Sequence, residues 1–168
     1  QSTVFHKKFY SMPHNSTFYE TYRSFIKNEI QPLFDEEIIF QKIPTFRTQV
    51  PNNYSVAAWH KDSDYSHVNE EVNIFLPLTV AMGNNTIWAE SQPGLEDYSP
   101  MDATPGEFYI WGGSYLMHGN KINDTRKSRV SIDFRVMPIS QYVENDRTSN
   151  HTKMTLGSYF DRFATDEK

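Results

Sequence analysis

Trp59-His60-Lys61-Asp62-Ser63-Asp64, at residues 59–64, is the stretch from which the fold and function of this 168-residue chain are best judged. A β-strand directs residues i and i+2 to the same face, so we predict that His60 and Asp62 present two metal ligands from one strand. The pair alone is a weak signal, because a chain with 6 His and 21 acidic residues supplies nearly one such pair by chance. Its meaning therefore depends on residues further along the chain.

A later aromatic and glycine-rich segment makes the pattern more specific. It contains His118, and Arg129 and Ser131 follow 11 and 13 positions after that histidine. Together with His60 and Asp62, His118 completes the 2-His-1-carboxylate facial triad of non-haem Fe(II) oxygenases, which leaves three positions on the metal open. Ordinary structural roles remain as alternatives. The first two ligands could lie at a strand end that hydrogen-bonds a loop, and the third could be a hydrogen-bonded core histidine.

Length and composition limit the other classes of protein. A chain of this length suits one domain over residues 1–168, and its 15% aromatic content favours β-structure and lined pockets. The net charge of −5, without a run of Lys or Arg, argues against nucleic acid as a partner. No apolar stretch reaches the roughly 18 residues that span a bilayer, so we expect no membrane partner and a soluble, cytoplasmic protein. The absence of Cys leaves His and carboxylate as the strong metal ligands.

The hydrophobic pattern predicts one helix followed by a β-rich region. Apolar residues at helical spacing place the helix over residues 16–34, with Ser16 or Thr17 as the N-cap and Glu20 as a capping-box partner of Thr17. Short β-like runs between turn residues predict strands at 38–43, 45–50, 56–60, 72–79, 86–90, 107–111 and 129–137. This spacing indicates a sandwich or barrel over about 38–137. In the polar tail at 138–168, residues 154–163 are predicted to form a short docking helix.

Several motifs resemble those of a known family, and the sequences that carry the resemblance are Trp59-His60-Lys61-Asp62, Asn73 to Thr79, Pro105-Gly106-Glu107, and His118-Gly119 through Arg129-Val130-Ser131. They are similar to the Fe(II)/2-oxoglutarate-dependent dioxygenases of the phytanoyl-CoA dioxygenase-like branch. The resemblance covers about residues 38–137, and residues 59–90 are most similar to the group named after a streptomycin-biosynthesis protein. It implies a mainly β fold, a double-stranded β-helix of jelly-roll, cupin-like type with flanking helices. It also implies Fe(II) as the metal of the triad.

The last predicted strand suggests how an acidic cosubstrate is held. Arg129 and Ser131 share one face of this strand, and a guanidinium can grip a carboxylate in a bidentate fork while a hydroxyl donates to it. The resemblance implies that the carboxylate is the distal end of 2-oxoglutarate and that Asn73 contacts the same molecule. Gln49 is a further candidate for this pocket. The alternatives are an ion pair between Arg129 and Asp133 and a structural, backbone-bonding amide at Asn73.

The function implied by the resemblance is oxygenation of a small molecule by O₂ and 2-oxoglutarate, with release of succinate and CO₂. Hydroxylation is the expected outcome, because Asp62 occupies the metal position that a halogenase would give to halide. A metabolite such as a sugar, an amino-acid derivative or an antibiotic-like compound is the expected substrate. One alternative is a cupin-type metal-binding isomerase or small-molecule binding protein that uses the same ligands without 2-oxoglutarate. Another is a noncatalytic binding module.

Overall fold

The computed structural model describes residues 3–53, 58–149 and 151–164. Its helices are α1 (Val4–Tyr10) and α2 (Thr17–Phe25), and α2 is continued by a π-helical turn (Ile26–Ile30) and a 3₁₀ turn (Gln31–Leu33). Its strands are β1 (Ile38–Gln41), β2 (Thr45–Gln49), β3 (Val72–Pro77), β4 (Ile87–Ala89), β5 (Ser99–Pro100), β6 (Tyr109–Trp111), β7 (His118–Asn120), β8 (Arg129–Pro138), β9 (Thr148–Ser149), β10 (Thr152–Lys153) and β11 (Phe160–Asp161).

The strands form antiparallel sheets. The main sheet has the order β11-β1-β8-β3-β6, and β2 pairs with the first half of β8, on the edge whose second half pairs with β1. A three-stranded sheet has the order β5-β4-β7, and β9 pairs with β10. The fold is therefore mainly β and cupin-like, as the sequence predicts. No helix in the described part of the chain is long and apolar enough to cross a membrane.

Strand β8 organises the molecule because its two faces are chemically different. Ile132, Phe134 and Val136 are buried in the main hydrophobic cluster, whereas the alternating positions 129, 131, 133 and 135 are polar and also buried. Successive side chains of a strand point to opposite faces, so one strand supplies both the core and a polar interior wall.

The N-terminal helices cover the apolar face of the main sheet. Tyr22 and Ile26 pack into the same cluster as Phe40 and Phe134, and the Tyr22 hydroxyl donates a hydrogen bond of 2.7 Å to the Gln41 carbonyl. A buried hydroxyl that finds such a partner avoids the cost of an unsatisfied polar group. This layer fixes the sheet from one side and leaves its polar face directed toward the interior.

The sequence predicts most of these elements well. Six of the seven predicted strands form within two residues of their predicted bounds, and the helical span from Thr17 to Leu33 lies inside the predicted range. Ser16, one of the two predicted N-cap residues, occupies the N-cap position, so the capping box between Thr17 and Glu20 is not formed. Helix α1 was not predicted.

Two predictions of local structure are wrong, and one lies partly outside the described residues. No helix forms at 151–164; instead Phe160 and Asp161 extend the main sheet by pairing with β1, and Phe160 is fully buried. Asp62 does not continue a strand from His60 but begins a 3₁₀ turn, Asp62–Tyr65. Residues 56 and 57 of the predicted strand 56–60 lie outside the described residues, and its last residue makes an isolated bridge.

Candidate metal centre

The three predicted ligands converge at one point of the interior. Nε2 of His60 and Nε2 of His118 each lie 3.6 Å from Oδ1 of Asp62, and one ligand atom from each residue lies within 4.8 Å of the others. Asp62 and His118 are 4% and 7% exposed. Two imidazoles and one carboxylate at this separation form a ligand set suited to a divalent transition metal.

Backbone hydrogen bonds hold the ligands together. His60 and His118 exchange both backbone hydrogen bonds, at 2.9 and 3.0 Å, and the Asp62 N–H donates to the Gly113 carbonyl at 2.8 Å. Asp62 therefore reaches the site from a turn anchored to the segment before β7. The prediction that strand periodicity alone would align His60 with Asp62 is wrong, although both side chains reach the same point.

Each imidazole is oriented by its second nitrogen. Nδ1 of His60 lies 2.8 Å from the Ala58 carbonyl, and Nδ1 of His118 lies 2.9 Å from the Leu116 carbonyl. A carbonyl can only accept, so both Nδ1 atoms carry the proton and both Nε2 atoms present a lone pair in the neutral ring. Outer hydrogen bonds of this kind fix the tautomer that a metal requires.

The two oxygens of the Asp62 carboxylate differ, because one is hydrogen-bonded to the protein and the other is available to a metal. Its Oδ2 accepts hydrogen bonds of 2.7 Å from both Asn73 Nδ2 and Arg135 Nη2. Burial alone would raise the pKa of Asp62, but the positive charge of the neighbouring Arg135 holds that pKa well below its usual range. Asp62 therefore stays ionised, with Oδ1 directed at the histidines.

The two histidines differ in their proton affinity. The nearby carboxylate of Asp62 raises the pKa of His60, although burial partly opposes it. Burial lowers the pKa of His118, which is the more enclosed of the two rings. In the metal-free protein, a proton between the ligands would therefore reside on His60.

Asn73 connects the carboxylate to the segment that leads to β7. Besides donating to Asp62, it accepts a hydrogen bond of 3.1 Å from the Gly113 N–H through Oδ1. A Cβ at Gly113 would lie 2.5 Å from Asn73 Nδ2, so the chain approaches this amide more closely than any other residue type would allow. The amide thus has the structural contacts that sequence analysis gave as an alternative, and one N–H remains for a ligand.

Arg129 is buried, and it has no ionic partner among the described residues. It is 3% exposed, and neither Nε nor Nη1 has a hydrogen-bond acceptor among the described residues. It lines a small cavity of about 50 Å³ together with all three predicted metal ligands. Burial lowers the pKa of Arg129 to about 10, which still leaves it charged at neutral pH.

The alternative ion pair between Arg129 and Asp133 is not present. Asp133 Oδ1 accepts instead from Arg47 Nε at 3.0 Å, and its Oδ2 lies 3.7 Å from Arg135 Nη1. Ser131 is fully buried and its hydroxyl has no partner in the described part of the chain. One face of β8 thus carries a buried cation and a buried hydroxyl whose polar atoms Nε, Nη1 and Oγ have no hydrogen-bond partner within the described ranges.

Gln49 lies beside these groups but is partly satisfied. It is directly opposite Arg129 in the β2–β8 register, and its Nε2 donates to the Lys121 carbonyl at 2.8 Å. Its Oε1 has no partner among the described residues. Gln49 therefore holds a loop with one end of its amide and keeps an acceptor at the other.

A larger cavity of about 500 Å³ adjoins the small one. The linings of the two cavities share Arg47, His60, Asp62 and Arg135. Sequence analysis did not identify the part played by the C-terminal segment, which supplies Ser149, Thr152, Ser158 and Tyr159 to this lining. The pairing of Arg135 with Asp62 was likewise not identified, although polar residues at every second position of β8 were a usable signal.

The relationship of the chain to known proteins was tested in three comparisons. No family model matches the sequence. The chain is 39% identical over 163 residues to the streptomycin biosynthesis protein StrG of Streptomyces griseus, a match that covers 96% of this chain and 77% of StrG. The chain belongs to the StrG family.

Solved structures support the fold that this StrG-family chain adopts. The non-haem monooxygenase ThoJ in its nickel complex superposes with a TM-score of 0.55 at 13% identity, over 80% of this chain and 55% of ThoJ. The apo form of ThoJ gives a TM-score of 0.58 at 11% identity, over 81% of this chain and 57% of ThoJ. The StrG-family chain thus spans little more than half of these structures, and the likeness concerns the fold.

Proposed function

We propose that this protein is a non-haem Fe(II) oxygenase that uses 2-oxoglutarate and O₂ to hydroxylate a small-molecule metabolite. The observation that carries the proposal is that the lining of one cavity contains both a His-Asp-His cluster and a buried arginine, Arg129, whose Nε and Nη1 have no acceptor in the described part of the chain. Membership of the StrG family supports a metabolite as substrate, because StrG is named as a protein of streptomycin biosynthesis.

The donor atoms fit the metal. Both Nε2 atoms carry lone pairs, and Oδ1 of Asp62 is ionised and free of strong partners. His60, Asp62 and His118 would therefore hold Fe(II) through two neutral nitrogens and one anionic oxygen, leaving coordination positions for other molecules. The Arg135 charge on Oδ2 keeps the carboxylate ionised without using the oxygen that faces the histidines.

Arg129 and Ser131 of β8 have polar atoms without partners among the described residues, and these atoms could bind an anion. A buried guanidinium without a counterion is costly, because burial penalises a charge unless it is paired and hydrogen-bonded. The distal carboxylate of 2-oxoglutarate would supply both the charge and two acceptors for Arg129, and the Ser131 hydroxyl could donate to the same group. The small cavity would have to widen to admit the molecule, and side-chain rearrangement on binding is common.

The contribution of the protein is positioning and exclusion of water. The bound Fe(II) and 2-oxoglutarate would together supply the activation of O₂, with two electrons provided by the conversion of 2-oxoglutarate to succinate and CO₂. Asn73 and Arg135 fix the carboxylate of Asp62, and the carbonyls of Ala58 and Leu116 fix the imidazoles. The buried β8 wall keeps bulk water from the cosubstrate end of the cavity.

The test separates metal binding from cosubstrate binding. Anaerobic titration with Mn(II), followed by EPR, should give one ion per chain, and this uptake should be lost in His118→Ala. Isothermal titration of the Mn(II)-loaded protein with 2-oxoglutarate should show binding that falls at least tenfold in Arg129→Gln and is unchanged in Arg162→Gln, an exposed arginine outside both cavities.

The cupin-type alternative predicts a different result. If Arg129→Gln takes up Mn(II) and 2-oxoglutarate as the unaltered protein does, the cosubstrate assignment is wrong and a metal-binding isomerase or binding protein gains support. If neither the unaltered protein nor its variants take up metal, a noncatalytic binding module is favoured. Succinate production from 2-oxoglutarate in the presence of Fe(II) and O₂ is a separate test of turnover.

A further inference from the structure

We propose that the larger cavity is the substrate site and that its substrate is a neutral, hydroxyl-rich ring compound of sugar or cyclitol type. This inference rests on the proposed oxygenase function, because the cavity shares His60 and Asp62 with the candidate metal centre. At about 500 Å³, the cavity lies within the range of roughly 300–1,000 Å³ that holds small molecules.

The lining is unusually polar for a small-molecule site. Seven of its fourteen described residues carry hydroxyl groups, and Ile43 is its one aliphatic member. Pockets for drug-like ligands are mostly apolar, with a few placed polar groups. A wall with this many hydroxyls instead matches a ligand that offers a donor and an acceptor at nearly every carbon.

Two polar groups of the lining have hydrogen-bonding capacity that the described residues do not use. The Tyr159 hydroxyl is buried and has no partner among them. Nδ1 of His67 lies 2.6 Å from Glu71 Oε2, so His67 donates to the carboxylate and keeps Nε2 as an acceptor. The rings of His67 and Tyr159 meet edge to face, with 5.7 Å between their centroids, so both polar side chains belong to the same part of the lining.

The charges of the lining argue against a cationic ligand. Asp62 is the one carboxylate among the described lining residues, and its oxygens face Arg135, Asn73 and the two histidines. Arg47 and Arg135 add positive charge to the same wall. An amino sugar would therefore bring its ammonium group to a surface without a free acidic partner, whereas a neutral polyol would not.

Tyrosine rings provide the apolar contact that a sugar or cyclitol ring needs. Tyr65 lines the cavity and packs edge to face with His60, at 5.3 Å between ring centroids. A ligand whose C–H face stacks on Tyr65 would thus lie beside a metal ligand, with its C–H bonds close to the reactive position. Amphipathic rings of this type favour ligands that are apolar on a face and polar at their edge.

The experiment is calorimetric titration of a defined panel into the protein, both metal-free and loaded with Mn(II) and 2-oxoglutarate under anaerobic conditions. The panel contains neutral cyclitols, hexoses and disaccharides, their amino-substituted counterparts, and aliphatic acids of similar size. We expect neutral polyols to bind, and Tyr159→Phe to weaken that binding roughly tenfold, the effect of losing a buried hydrogen bond. The matched control is Tyr115→Phe, an exposed tyrosine outside both cavities, which should bind as the unaltered protein does.

The outcomes separate this inference from the proposed function. Preference for amino sugars or aliphatic acids, no binding by any neutral polyol, or polyol binding that is unchanged in Tyr159→Phe would overturn the substrate assignment. Failure to take up Mn(II) and 2-oxoglutarate, with polyol binding intact and sensitive to Tyr159→Phe, would overturn the oxygenase function and leave the cavity and its ligand class standing.

Discussion

Nη2 of Arg135 lies 2.7 Å from Oδ2 of Asp62, and this buried ion pair leaves Oδ1 facing both histidines at 3.6 Å. The arrangement lets one carboxylate have two functions, since one oxygen is bound to the fold and the other is available to a cation. The carboxylate is therefore held from β8 by Arg135 and from β3 by Asn73, through the oxygen that does not face the histidines.

Replacing Arg135 with Met should destabilise the metal-free protein by about 3–5 kcal/mol, because it leaves a buried carboxylate without a countercharge. Saturating Mn(II) should recover part of this loss by supplying positive charge at Oδ1. Urea unfolding with and without Mn(II) measures both effects. The double variant Arg135→Met/Asp62→Leu, which removes both charges, should be more stable without metal than Arg135→Met alone; if it is not, the ion pair is not the cause.

Replacing Asn73 with Ala should weaken Mn(II) binding about 10- to 100-fold, the usual effect of losing a group that orients a metal ligand. Asn73 holds Asp62 Oδ2 and the Gly113 N–H together, so its loss frees the carboxylate to rotate. EPR titration measures the affinity. Asn28→Ala, at an exposed helical amide, is the matched control and should bind Mn(II) normally; equal losses in both variants would contradict the positioning role.

Metal binding near pH 6.5 should release protons mainly from His60 and few from His118. The raised pKa of His60 means that this ring is protonated over a wider pH range than an ordinary histidine, whereas the lowered pKa of His118 and of Asp62 means that both are already deprotonated. Because Mn(II) requires the deprotonated ring, its affinity is full above the raised pKa of His60 and falls about tenfold per pH unit below that pKa.

Calorimetry of Mn(II) binding in two buffers of different ionisation enthalpy counts these protons. His14→Gln, an exposed histidine away from the site, should release the same number. Release of two protons, or of none, around pH 6.5 would show that the two imidazoles do not differ in the way the geometry indicates.

Residue type and spacing were enough to predict His60, Asp62 and His118 as a cluster and six strands close to their true bounds, because periodicity and ligand chemistry are local properties of a sequence. The position of Asp62 on a turn was not predictable in this way. It depends on the hydrogen bond from Asp62 to Gly113, which pairs distant parts of the chain. Periodicity carries no information on such contacts.

The same limit explains why the strand in the C-terminal segment and the partner of Arg135 were not predicted. The apolar residues at 154–163 fit a helical spacing, but Phe160 is buried by pairing with β1, more than a hundred positions earlier. Arg135 and Asp62 are separated by 73 positions, and several acidic residues could have been its partner. Contacts between distant segments decide which of the structures allowed by the local sequence pattern is formed.

Replacing Arg129 with Met should stabilise the ligand-free protein while removing its response to 2-oxoglutarate. Arg129 is buried with Nε and Nη1 unpartnered among the described residues, and burial lowers its pKa to about 10, so the folded state holds a charge that its surroundings do not compensate. An apolar side chain of similar length removes that penalty, and replacements of buried charges by packed apolar groups gain roughly 1–4 kcal/mol.

Thermal unfolding of the Mn(II)-loaded proteins should show a higher Tm for Arg129→Met and a 2-oxoglutarate-dependent rise in Tm only for the unaltered chain. Arg162→Met, at an exposed position, should leave both values unchanged. A lower Tm for Arg129→Met would mean that the guanidinium stabilises the fold, and the unpaired charge would then no longer argue for an anionic cosubstrate.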